Sequence, residues 1–160
     1  MDHVDGIEAA WKRERPDVDV APLVLLGRLF RAVALADARL AEGLAGRDLQ
    51  PGWFDLLAAL RRASEPFELN PTRLMRATML SSGGMTKRLD RMADAGLVER
   101  RADPNDRRGT LVRLTAHGRA VIDEALPVHV QNEERLLTAP TEAERKRLDA
   151  LLRKLLSNLE

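Results

Sequence analysis

From Val20 to about Leu44 the chain is almost continuously apolar or small, with Leu23, Leu26, Phe30, Val33 and Leu40 interrupted mainly by Arg28, Arg31, Asp37 and Arg39. That pattern predicts a long helix apolar around most of its circumference, and so covered on more than one side. Ahead of it, residues 7–13 (IEAAWKR) predict a short helix ending near Pro16. After it, Pro51 can open a further helix in which Trp53, Leu56, Leu57 and Leu60 share one inward face, ending near Arg62.

The middle of the chain changes character. Asn70 followed by Pro71 is a cap with proline at the first helical position, and predicts a short helix through about Thr78. Ser81 and Ser82 offer the next cap, and Met85, Leu89 and Met92 recur at i, i+4 and i+7, so two helices follow one another across a turn of about three residues. Gly96 stands where a left-handed helix stop is needed, and Leu97 can fold back to seal it. Leu97–Arg101 and Thr110–Leu114 predict two strands around Ala102–Gly109, whose Asp, Pro, Asn, Asp and Gly favour turns, giving a hairpin with a long tip. Thr115 can cap a helix to about Leu137 that Pro127 should bend. Thr141 with Glu144 forms a capping box for a last helix carrying a seam of Leu148, Leu151, Leu152, Leu155, Leu156 and Leu159. The fold class is mostly α with a small β-hairpin, and the sequence holds no repeat.

Composition narrows this picture. A length of 160 residues suits one folded unit, and 3% aromatics leave a core of Leu, Ala, Val and Met. No cysteine is present, which removes disulfides, thiolate metal sites and cysteine nucleophiles. The opening is acidic and mixed, and no apolar run approaches the ~20 residues of a membrane span, so the expected location is cytoplasmic. Net charge is +1 but uneven: residues 1–72 carry 9 basic and 12 acidic side chains (−3), 73–119 carry 11 and 5 (+6), and 120–160 carry 6 and 8 (−2). A local excess of that size either attracts a polyanion or forms a solvated patch.

The candidate chemistry sits in this basic block. With Met85, Leu89 and Met92 inward, Thr86, Lys87, Arg88, Asp90 and Arg91 face outward, and a helix about 10–12 Å across fits a DNA major groove. Ser81, Ser82, Thr86 and Lys87 become the leading contacts, with Arg88 and Arg91 nearer the flanking backbone. Gly83 and Gly84, read as part of the first turn, cost about 1 kcal/mol each against alanine, which points to close approach of phosphate or to slackness at a helix start. At the hairpin tip Asp106 can orient an arginine by a charge-assisted hydrogen bond while Arg108, beside Arg107, enters a narrow minor groove.

Residues 81–100 (SSGGMTKRLDRMADAGLVER), residues 103–118 (DPNDRRGTLVRLTAHG) and the order of helices around them resemble the MarR family of winged helix-turn-helix transcriptional regulators over nearly the whole chain. The resemblance implies a homodimer held by its terminal helices, binding double-stranded DNA at a palindromic operator, usually as a repressor relieved by a small ligand, with no cofactor. In that scheme the chain is a single domain, with about 1–48 and 115–160 supplying dimerisation helices and about 50–114 the DNA-binding region. The apolar surface of the terminal helices independently calls for a partner copy, since it would otherwise leave a large exposed patch.

The opening residues 7–29 (IEAAWKRERPDVDVAPLVLLGRL) further resemble the added N-terminal helix of the PecS-like, urate-responsive branch. By position, that resemblance implies a purine-type effector such as urate held by Trp11, Asp55 and Arg88. The competing reading has Trp11 plugging a hydrophobic groove and Asp55 solvated or paired with Arg88. Two other classes stay open: a helical protein adaptor using the leucine seam, and an enzyme. The latter has little to work with, because His3, His117 and His129 show no metal-ligand spacing.

Overall fold

The computed structural model describes all residues except 1, 45, 47–48, 51 and 79–83, and at 107 and 108 it describes the backbone alone. The described residues form two compact units, one ending at Glu42 and the other running from Gly43 to Glu160.

In the first unit, α1 (His3–Glu14) is opened by Asp2, whose carboxylate accepts from the amides of Val4 at 2.7 Å and Asp5 at 3.1 Å, while Asp5 accepts from the Asp2 amide. This reciprocal box satisfies amides that a helix start leaves orphaned. α2 (Ala21–Gly43) follows the apolar run. Val4, Val20 and Val24 form a small core, and Arg28 reaches Asp2 at 3.0 Å and also pairs with Asp5. Much of α2's apolar side is exposed in the single chain: Leu25 at 70% and Phe30 at 67%.

The second unit begins its regular structure with α3 (Trp53–Arg62), entered through Gly52 in a left-handed conformation (φ 79°). Pro51, the expected start, lies outside the described residues. A strand missed in the sequence, β1 (Glu68–Leu69), precedes α4 (Pro71–Arg76), which Asn70 caps by accepting from the Arg73 amide at 2.8 Å. α5 (Met85–Asp94) comes next, then β2 (Val98–Asp103), β3 (Asp106–Leu114), α6 (Ala116–Leu136) and α7 (Glu142–Leu156). The sheet is antiparallel in the order β1-β3-β2, and α3 packs on α6. Leu56, Leu57, Leu60, Leu74, Leu89, Met92, Val112 and Ile122 are the largest fully buried side chains among the described residues. The expected inward faces of α3 and α5 are therefore the ones that enter the core.

Three details differ from the sequence expectation. The hairpin tip is short: β2 reaches Asp103 and β3 starts at Asp106, so Pro104 and Asn105 alone make the turn. The Asp103 carboxylate accepts from the Asn105 amide at 2.9 Å, and a register shift between Ala102 and Asp103 absorbs the uneven strand lengths. Arg107 and Arg108 consequently lie in β3 and not in a loop. Gly84 is not in the first turn of α5 but ahead of it, at φ 79°, a position where glycine carries no steric penalty. Ser81, Ser82 and Gly83 lie outside the described residues.

The end of α5 matches the expected stop closely. The Leu97 amide donates to the Met92 carbonyl at 2.9 Å and the Gly96 amide to Ala93 at 2.9 Å, with Gly96 at φ 69°; Leu97 and Met92 are both buried. This is a Schellman stop with its hydrophobic seal. Thr115 then caps α6, accepting from the Gly118 amide at 2.9 Å and donating to the Gly96 carbonyl at 2.6 Å. On α7, Thr141 and Glu144 form the expected capping box, and Leu151 and Leu156 of the leucine seam are exposed in the single chain.

Two outcomes check this packing. A Cβ at Gly118 would stand 2.0 Å from the Leu97 carbonyl oxygen, so Gly118→Ala is expected to lower unfolding free energy by about 2 kcal/mol or more in a urea titration; wild-type stability would contradict the close approach. The Asp2 carboxyl is held below its ordinary range chiefly by the hydrogen bond from Arg28. A group depressed in the folded state stabilises above its unfolded value and loses that contribution as pH falls through the lowered one. Amide protection of residues 3–14, corrected for intrinsic exchange, is therefore expected to fall below about pH 4 in the native chain and to lose this step in Arg28→Ala. Protection flat across that range would refute the clasp.

Candidate nucleic-acid interface

α4 and α5 together with the β2-β3 hairpin present one kind of chemistry. On α5, burial of Met85, Leu89 and Met92 leaves Thr86, Lys87, Asp90 and Arg91 exposed and Arg88 half-buried. Among the described residues Lys87, Arg88 and Arg91 have no ion-pair partner, and the same holds for the exposed Arg73 and Arg76 on α4. The arginines that brace the sheet are paired. Arg100 meets Asp90 at 2.7 Å, Arg101 meets Glu68 at 3.4 Å and Arg113 meets Glu99 at 3.8 Å.

This division is physical, because cations already neutralised by neighbours have less to offer a phosphate than cations left in solvent. Five free cations on two consecutive helices form a surface suited to a polyanion. Arg73 and Arg76 were not among the residues read from the sequence as contacts. Their signal was available, since neither has an acid within four positions on its own helix.

Of the expected contact residues, Thr86, Lys87, Arg88 and Arg91 share α5, whereas Ser81 and Ser82 lie outside the described residues and the side chains of Arg107 and Arg108 likewise. Lys87, Arg88 and Arg91 also line an open groove of about 340 Å³ with Gly84, Gln50 and Trp53. Trp53 is therefore the tryptophan that this groove brings beside Arg88. Asp55 is exposed on the first turn of α3 and, among the described residues, pairs with no cation. Trp11 belongs to α1 of the first unit, with 42% of its surface exposed.

Other chemistry is sparse. Among the described residues no group of three or more His, Asp or Glu could hold a metal ion, and no helix is long and apolar enough to cross a membrane.

Two successive helices, a three-stranded sheet with a basic hairpin and flanking helices define a winged helix-turn-helix. The chain belongs to the MarR family of transcriptional regulators: residues 47–109 match the family profile, and the HTH-type transcriptional regulator PecS of Dickeya dadantii (strain 3937) is 37% identical over 149 residues, spanning 93% of this chain and 90% of that protein. Among solved structures, a mutant MarR from E. coli complexed with operator DNA superposes with a TM-score of 0.75 at 32% identity, over 87% of this chain and 99% of that one. Bordetella bronchiseptica BpsR, solved to explain regulation of its DNA binding by 6-hydroxynicotinic acid, superposes with a TM-score of 0.73 at 28% identity, over 81% and 90%.

Proposed function

We propose that the protein is a transcriptional repressor that grips a palindromic operator as a homodimer and releases it when a small ligand binds. The observation that carries this reading is the set of free cations Arg73, Arg76, Lys87, Arg88 and Arg91 on α4 and α5. A surface ion pair at each would contribute at most about 1 kcal/mol to folding, whereas a free cation can release counterions from phosphate.

Residues 50–114 then form the DNA-binding region of one MarR-type domain, and 1–48 with 115–160 the dimerisation helices, whose exposed leucines a second copy would cover. Two-fold pairing sets two α5 helices about 34 Å apart, one DNA turn. Ser81, Ser82, Thr86 and Lys87 lead into the major groove. Arg73, Arg76, Arg88 and Arg91 meet phosphates, and Arg107 with Arg108 reaches the minor groove from β3. Such a protein works in the cytoplasm, where the DNA is.

Titration of a labelled duplex that the protein has selected from a random pool is expected to show binding that weakens about a thousandfold or more between about 50 and about 200 mM salt. Salt-insensitive or absent binding would contradict the reading and favour an adaptor. Lys87→Ala is expected to reduce the salt slope by about one per half-site, and Arg108→Ala to weaken binding with an unchanged melting temperature. A collapse of stability with intact affinity would make Arg108 structural instead.

For the effector, the reading favoured by the PecS relationship is a flat, anionic heterocycle of the purine type such as urate, for which Trp11 offers a stacking face. The BpsR ligand is also a flat acidic nitrogen heterocycle. Urate or xanthine is expected to quench tryptophan fluorescence and release DNA, and Trp11→Phe to lose that quenching. Quenching that persists in Trp11→Phe would return Trp11 to packing and point to Trp53.

A further inference from the structure

Arg100 occupies an odd position. In the β2-β3 register it stands opposite Val112, which is fully buried, and two residues from Val98, which is 2% exposed, so it shares the core-facing side of the sheet. A charge on that side needs a partner at the rim. Its guanidinium runs to α5, pairing with Asp90 at 2.7 Å and donating to the Thr86 carbonyl at 3.4 Å. Asp90 and Thr86 are four residues apart, one above the other on the helix.

We propose that Arg100 is a positioning residue that sets the rotation of α5 about its own axis relative to the hairpin, and through it the sequence selectivity of the interface; this rests on the DNA-binding reading above. Thr86 and Lys87 are the leading residues of that helix, and Lys87 and Arg91 each adjoin an anchored position. A rotation of about 20° moves a side-chain tip by roughly 2 Å at the helix surface. That is enough to break a hydrogen bond to a base edge while leaving a phosphate contact, which tolerates distance better, largely intact. Arg100 itself is engaged with Asp90 and is not a free cation. Its removal therefore alters where α5 points without subtracting a phosphate contact.

The pair is half exposed, so its loss leaves the fold standing. Arg100→Gln, Asp90→Asn and the double variant are compared on a duplex that the wild-type protein has selected from a random pool, and on a scrambled duplex of the same length. Expected in every variant is about a tenfold loss of affinity for the selected duplex relative to the scrambled one; the double variant, which leaves the net charge of the pair unchanged, is expected to keep the wild-type affinity for the scrambled duplex and the wild-type salt slope, and to be no worse on the selected duplex than either single variant. A uniform loss on both duplexes with a slope reduced by about one per half-site would make Arg100 a phosphate contact and overturn the proposal. So would unchanged selectivity, or losses in the two single variants that simply add. Unfolding of both single variants would overturn it too, by making the pair a structural requirement. If the wild-type protein enriches no sequence, the DNA-binding reading itself fails, a result separate from any variant.

Discussion

The carbonyls of Gly96 and Leu97 are the joint at which α5, the hairpin and α6 meet. At this one point α5 stops, β2 starts and α6 is capped. Gly96 takes the left-handed conformation that ends the helix, its carbonyl accepts from the Thr115 hydroxyl, and the Leu97 carbonyl accepts from the Thr115 amide at 3.2 Å while lying against Gly118. Local helix termination and long-range closure thus use the same four residues. The direction of α5 relative to the hairpin follows from this joint at one end and from the Arg100–Asp90 pair further along.

Charge is arranged around that frame with a consistent logic. Acidic and basic side chains that brace elements are matched: Arg61 with Asp123 at 2.7 Å, Arg145 with Glu134 at 2.6 Å, Arg28 with Asp2. On α4 and α5 the cations lack such matches among the described residues, so the near-neutral chain still presents a cationic face. A family whose relatives are transcriptional regulators fits a surface of this kind, and the winged helix-turn-helix gives it the dimensions of a groove.

Much of this was legible in the sequence because the signals were local. Asn70-Pro71, Gly96-Leu97, Thr115 and Thr141 with Glu144 each fix a helix end through hydrogen bonds spanning three to five residues, and each stands where the pattern placed it. The inward faces of α3 and α5 followed from spacing alone. What escaped depended on distant partners. β1 has two residues and exists because β3 pairs with it, so no periodicity could announce it. The tip from Ala102 to Gly109 is so rich in turn formers that the true turn at Pro104-Asn105 could not be told from its flanks; pairing with Thr110 and Asp106 makes Ala102 and Asp103 strand. Arg73 and Arg76 were passed over because a free cation and a paired one look alike until the partners are in place.

The most direct test is hydrogen exchange with and without a duplex that the protein has selected from a random pool. Bound DNA is expected to add protection in 71–76, 84–94 and the hairpin at 98–114 and to leave 142–156 unchanged. Protection concentrated on α7, or no change anywhere at saturating DNA, would contradict an interface on α4, α5 and the hairpin.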